Sequence, residues 1–155
     1  MKFLIPLLGK TKTTYLDAGV RDYAIRLQRF ANVELPVLKD RYNRRESDAV
    51  IKALEAELLL EQSHSASFRV ALDPGGQSLQ SEELAILLDN WENRGITTIC
   101  FWIGGHLGLH QSLLKQADML LSLSRLTFTH EMTRVILLEQ LYRACTIKAG
   151  HNYHK

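Results

Sequence analysis

The sequence predicts a single α/β domain, a parallel-sheet sandwich in which short strands are covered by helices on both faces. Three observations predict it. Short, strongly apolar runs recur along the chain, longer stretches of helical periodicity separate them, and no internal repeat, low-complexity segment or long linker breaks the alternation. With 155 residues, 46% of them hydrophobic, the chain carries enough apolar material to bury one core without covalent or metal staples.

The first run, residues 2–8, is apolar and too short for a surface helix, so it reads as a strand. Interrupted by Pro6 and followed by Gly9 and Lys10, it lacks the longer apolar core and small-residue cleavage site of a secretory leader. No later segment approaches the roughly 18–20 apolar residues of a membrane span. A cytoplasmic protein with no membrane partner is the expectation.

Residues 15–30 follow as a helix, 33–38 as a second strand and 47–61 as a second helix. The strand at 68–72 runs into Asp73-Pro74-Gly75-Gly76, where the carboxylate either holds a ligand or bonds its own backbone; a plain turn is expected. The next helix spans 81–94, with Ser81 as its capping hydroxyl and Glu82 and Glu83 where the helix dipole favours carboxylates. Residues 97–103 form a buried strand by composition. A short helix at 110–116 and a short strand at 119–121 precede the last helix, 132–149, which buries Val135, Leu138, Leu141, Tyr142 and Cys145 on one broad face. Gly150 is a natural left-handed stop. Strands of this kind, joined by crossover helices, form parallel sheets.

Charge and cysteine content exclude more than they identify. Cys100 and Cys145 have no partner at metal-ligand or redox spacing, so neither a disulfide nor a metal is expected, which suits a reducing compartment. A net charge of +2 is too mild to argue for a polyanionic partner. From residue 125 onward, however, five basic residues (Arg125, Arg134, Arg143, Lys148, Lys155) face two acidic ones, and Arg41, Arg44 and Arg45 form a second basic cluster. Both fit a nucleic-acid partner and both fit a solvated face.

In open parallel sheets ligands sit beyond the carboxyl ends of the strands, so the loops after Leu72, Ile103 and Leu121 are the candidate site. The buried strand opens directly into Gly104-Gly105-His106-Leu107-Gly108. Glycines there permit either a close approach of backbone to a ligand or simply a tight strand-to-helix turn. The spacing is not that of the dinucleotide fingerprint, and the Gly-Lys-Ser/Thr of a phosphate loop is absent, so dehydrogenase, kinase and NTPase readings lose their support. In residues 121–128 hydroxyls alternate with apolar side chains, a loop able to offer peptide groups to an adenine while sandwiching its ring. Arg143 stands four residues after Glu139, which allows an intrahelical pair as readily as a functional cation, and Arg134 stands four after His130. The tail, His151 to Lys155, is either a frayed end or a set of groups that stack on bases, move protons and meet phosphate.

Together, Phe101-Trp-Ile-Gly-Gly-His-Leu-Gly-Leu109, Leu121-Ser-Leu-Ser-Arg-Leu-Thr-Phe-Thr-His130, Arg134-Val-Ile-Leu-Leu-Glu-Gln-Leu-Tyr-Arg-Ala144 and Tyr153-His-Lys155 resemble the ribosomal large-subunit methyltransferase H family, which belongs to the SPOUT methyltransferases. The resemblance runs the length of the chain. It departs at Thr129, where many members carry proline. It implies a trefoil knot in the C-terminal third, which periodicity could not have suggested. It also implies a homodimer and an S-adenosylmethionine site formed by Leu72, Gly104 and the run Leu123, Ser124, Arg125, Leu126, Thr127 and Phe128. The reaction it implies is methylation of N3 of a pseudouridine in the helix 69 loop of 23S ribosomal RNA. Arg143, Tyr153 and His154 are then the expected catalytic groups, with His130, Arg134 and Lys155 on the substrate side. A small body with few basic residues suggests a preformed substrate surface, such as the assembled ribosome, and a second subunit that completes the site. A knotted methyltransferase of transfer RNA, a non-catalytic RNA-binding or ribosome-associated module, and a flavodoxin-like regulator are the alternatives; the regulator lacks its acidic or phosphate-binding loop after the first strand.

Overall fold

Prolines set the shape of the first two strands. In the computed structural model, which describes residues 1–43 and 45–154, the run at 2–8 divides into β1 (Lys2–Leu4) and β2 (Leu7–Leu8), separated by Ile5 and Pro6. After α1 (Thr14–Leu27), the next run divides in the same way around Pro36, into β3 (Asn32–Glu34) and β4 (Val37–Leu38). A proline has no N–H for the ladder, so each strand breaks there. The two segments nevertheless stay together: Ile5 N–H donates to the Glu34 carbonyl at 2.9 Å and Leu7 N–H to that of Pro36 at 2.9 Å.

Next come α2 (Asp48–Gln62), capped by Ser47, and β5 (Phe68–Ser78). β5 corrects the expectation of a plain turn after Leu72. Both Leu72 and Gln77 face Leu121, so the residues between them bulge out of a strand that then resumes. The Asp73 carboxylate does bond its own backbone, accepting from Gly75 N–H at 2.8 Å. Gly76 lies so close to the neighbouring strand that a Cβ would sit 2.7 Å from the Leu120 carbonyl carbon.

In α3 (Ser81–Asn93) the cap is Gln80, not Ser81. The Glu83 carboxylate accepts Gln80 N–H at 2.7 Å, while the Ser81 hydroxyl donates to Gln140 at 2.9 Å. Then follow β6 (Thr98–Trp102), α4 (Gln111–Gln116), β7 (Met119–Ser122) and α5 (His130–Lys148). α5 starts two residues before the sequence suggests, because the Thr129 hydroxyl accepts Met132 N–H at 3.2 Å. A single 3-10 turn, Asn152–His154, closes the described chain.

Five strands form one parallel sheet in the order β3-β1-β6-β5-β7. Alternation along each strand divides the core between the two faces. Phe3, Val70, Ile99 and Phe101 pack with the apolar sides of α1, α3 and α5, whereas Leu4, Ala71, Cys100 and Trp102 pack with α2 and α4. A fully buried side chain of this size contributes roughly 1.5–3 kcal/mol, so the central strands anchor both layers. Among the described residues, no helix is long and apolar enough to cross a membrane.

Candidate active site

The carboxyl ends of β5, β6 and β7 meet in a cleft of about 590 Å³. Three segments wall it: the start of the β5 bulge, the glycine loop after β6, and residues 123–130 between β7 and α5. Of the expected cofactor residues, Leu72, Gly104, Leu123, Ser124, Leu126, Thr127 and Phe128 line the cleft. Arg125 is not among the lining residues; it is exposed on the outside of the same loop. Asp73, His106 and Thr133 line it as well. The sequence offers Asp73 as either a ligand contact or a turn residue and places His106 inside the glycine motif, whereas nothing in the sequence marks Thr133.

The glycine loop is tight against itself. A Cβ on Gly104 would lie 2.5 Å from the Gly108 carbonyl carbon, and Gly108 N–H donates back to the Gly105 carbonyl at 3.1 Å. Gly108 turns the chain at φ +76°, a left-handed value that favours glycine. The glycines therefore serve the loop's own closure first. In the facing loop, the Ser122 hydroxyl donates to the Ser124 carbonyl at 2.9 Å and the Ser124 hydroxyl accepts Leu126 N–H at 3.0 Å. The hydroxyls thus fold the loop. Leu126 is left 73% exposed at the cleft.

His130 lines the cleft at the first turn of α5. Burial, and then the nearby Arg134 guanidinium, hold its pKa below the ordinary imidazole value of 6.5. The neutral ring, able to accept a proton, is favoured at neutral pH.

Arg134 has another position than the sequence suggested. It is 2% exposed, and its guanidinium donates to the Leu8 carbonyl at 2.7 Å and to the Thr11 hydroxyl at 2.8 Å. It fastens the end of β2 to α5 from inside the protein and does not face the cleft. Glu131 beside it accepts the N–H groups of Lys12 and Thr13 at 2.8 and 3.0 Å, and these bonds hold its carboxyl down at about 2. Both residues are foundations of the site.

The expected catalytic groups collect elsewhere. Arg143 bonds Glu139 through Nε at 3.0 Å and through a terminal nitrogen at 2.5 Å, so the intrahelical pair exists. The same guanidinium lies 4.8 Å from the Tyr153 ring centroid. The Tyr153 hydroxyl donates to Glu139 at 3.2 Å and lies 3.3 Å from that of Tyr23, while its ring meets Tyr142 edge-on at 4.7 Å. Burial and these neighbours raise the Tyr153 pKa above its ordinary value, so the phenol is a proton donor at neutral pH. His154 Nε2 lies 2.7 Å from Glu82. The tail is therefore an ordered cluster on α5, α3 and α1. Tyr23 and Glu139 complete it, and only Glu139 was legible, from its spacing to Arg143. Lys155 and Arg44 lie outside the described residues. Arg41 is engaged in a two-pronged bond to Glu61, at 2.9 and 2.7 Å.

None of Arg143, Tyr153 and His154 lines the cleft. Along α5, Arg143 lies ten positions beyond Thr133, the last cleft-lining residue of that helix, about 15 Å at the helical rise. One chain thus carries two separate groupings, a ligand cleft and an aromatic-cationic tail.

Comparison with known proteins agrees with this architecture. Residues 1–154 match the family described as "Predicted SPOUT methyltransferase". The chain is 49% identical to the "Ribosomal RNA large subunit methyltransferase H" of Desulfotalea psychrophila over 155 residues, covering 100% of both. It is 40% identical to the protein of the same name from Ruminiclostridium cellulolyticum, again over 100% of each. Among solved structures, a probable methyltransferase from Bordetella pertussis superposes with a TM-score of 0.58 at 13% identity, covering 93% of this chain and 95% of that one. A probable methylase family protein from Haemophilus influenzae superposes with a TM-score of 0.57 at 10% identity, covering 99% of this chain and 70% of that one.

Proposed function

Because the chain belongs to the ribosomal RNA large subunit methyltransferase H family of SPOUT methyltransferases, we propose that it transfers a methyl group from S-adenosylmethionine to 23S ribosomal RNA. The site we propose is N3 of a pseudouridine in the helix 69 loop, reached on the assembled ribosome in the cytoplasm. The trefoil knot expected of the C-terminal third is part of the same proposal.

The observation that carries the reading is the cleft at the carboxyl ends of β5, β6 and β7. Its volume of about 590 Å³ lies within the range of roughly 300–1,000 Å³ usual for small-ligand sites. Its lining fits the cofactor: Leu72, Leu123 and Phe128 offer apolar surface for a ring, and the loop of residues 123–129, braced by its own hydroxyls, keeps a fixed row of peptide groups beside them. When bound there, S-adenosylmethionine supplies an activated methyl on a positively charged sulfur.

The chain's own residues then have two tasks. The acceptor nitrogen carries a proton at neutral pH, and it must be held in line with the methyl while that proton leaves. His130, neutral and at the cleft, is placed to accept a proton or a hydrogen bond from the base. Tyr153 donates, and Arg143 brings a cation that can meet phosphate or a developing negative charge on the base. Arg143, Tyr153 and His154 stand outside the lining of their own chain's cleft, which supports a site completed in a homodimer, with the tail of one protomer beside the cleft of its partner.

The deciding experiment is transfer from labelled S-adenosylmethionine to intact ribosomes that lack the modification, with mass spectrometry of the helix 69 fragment. The expected result is one added methyl confined to the pseudouridine. Cofactor binding without transfer to ribosomes, but with transfer to transfer RNA, would reassign the substrate. Absence of both binding and transfer would overturn the enzyme reading.

A further inference from the structure

We infer that Glu55 is a positioning residue of the cleft: its buried carboxylate, set between the Tyr42 hydroxyl and the Gly105 backbone, fixes the glycine loop in the shape that receives S-adenosylmethionine. The inference rests on the methyltransferase reading of that cleft.

Glu55 lies on α2, on the opposite face of the sheet from α5, and is 4% exposed. Its buried neighbours on the helix are Ile51, Ala56, Leu58 and Leu59, an otherwise apolar set. Tyr42 donates to Oε1 at 3.1 Å, and among the described residues no group makes a hydrogen bond of good geometry to Oε2. An ionisable group buried with an oxygen to spare costs stability. What the carboxylate does touch is the loop. A Cβ on Gly105 would come 2.6 Å from Oε1 and 2.8 Å from Oε2, so the backbone at 105 rests directly on the acid. Gly105 and His106 form part of the cleft wall on their other side. Glu55 therefore stands behind the wall and sets where it lies.

The charges around it make this support sensitive to protons. Burial raises the Glu55 pKa and Asp40 adds to the rise, while the Tyr42 hydroxyl, the His106 side chain and the Gly105 amide oppose it. The carboxylate form is the one that Tyr42 and the Gly105 amide favour, so protonation loosens the hold on the loop. Arg41, next to Tyr42, is bonded to Glu61 of α2, which ties this segment to the helix.

The test is calorimetric binding of S-adenosylhomocysteine to the full-length wild type, Glu55→Gln and Tyr42→Phe from about pH 5 to about pH 8, a range that brackets a raised carboxyl, with thermal melts alongside. The wild type is expected to lose affinity toward acid pH. Glu55→Gln should bind about tenfold more weakly at neutral pH, the effect of one lost charge-assisted contact, and should show no acid limb. Tyr42→Phe should move the limb to higher pH, since it removes a bond to the charged form. A purely structural Glu55 would lower the melting temperature and leave the limb in place, and that result overturns the inference. If Glu55→Gln does not fold, an unmoved limb in Tyr42→Phe overturns it instead. A wild type that binds no cofactor product at any pH defeats the methyltransferase reading itself, whereas normal binding with unchanged variants defeats the role of Glu55 alone.

Discussion

Glu131 shows how much one side chain carries when its partners are backbone. Its carboxylate accepts the N–H groups of Lys12 and Thr13, the two residues before α1 begins, so α5 closes the open end of α1. The folded carboxyl sits at about 2, below the ordinary value of 4.5. A group depressed on folding stabilises above its unfolded pKa, and that stability fades as pH falls through the folded value. Glu131→Gln should therefore cost about 2 kcal/mol near neutral pH, with the gap to wild type closing as pH drops from 4.5 toward 2. Urea denaturation across that range measures it; a gap undiminished at the acid end would contradict the assignment. Arg134→Met should cost about 3 kcal/mol by leaving the Leu8 carbonyl without its donor, read as a lowered denaturation midpoint. The sequence could not reveal this. A helical arginine is ordinarily a surface group, and its partners here are 123 and 126 positions away in the chain. The Ser124 bond to Leu126 N–H, by contrast, is local.

The order and type of the elements were legible because each rests on periodicity and local composition. Boundaries moved where a single side chain intervened: Pro6 and Pro36 divide two strands, and Gln80 rather than Ser81 caps α3. The continuation of β5 past Asp73-Pro74-Gly75-Gly76 was hidden, because the pairing of Gln77 with Leu121 depends on β7, more than forty residues on. The start of α5 is a matter of one hydroxyl. Thr129→Ala should lower stability by about 1 kcal/mol, the usual worth of a cap. Thr129→Pro should lose less than the alanine variant, since the native φ of −62° already suits proline. Melts of the two variants, followed by circular dichroism, test the ranking, and a proline variant less stable than the alanine one would contradict it.

At the scale of the whole molecule, the cleft was found in the sequence as three loops beyond three strand ends, a rule of sheet topology. The separation of the cleft from the tail was not, because spacing along a chain says nothing of which copy faces which. A homodimer built this way has a testable signature. Gly104→Ala should spoil the cleft, since its Cβ would sit 2.5 Å from the Gly108 carbonyl carbon, and Arg143→Ala should spoil the tail. Each variant alone should be inactive. Mixed and re-equilibrated, they should recover about a quarter of wild-type methyl transfer, because half the dimers are mixed and each of those keeps one intact site. No recovery would assign cleft and tail to the same chain.

β1 stands in the interior of the sheet, where Lys2 pairs with Asn32 on one side and with Thr98 on the other. β1 therefore waits for a flank, β6, that lies more than ninety residues further along the chain, as α1 waits for Glu131. A growing chain leaving the ribosome holds its N-terminal half with one sheet edge bare and its first helix unclosed. Long-range pairings of this kind are slow to form. The core includes Leu137, Leu138 and Leu141 of α5, so it is completed only after synthesis has passed that helix.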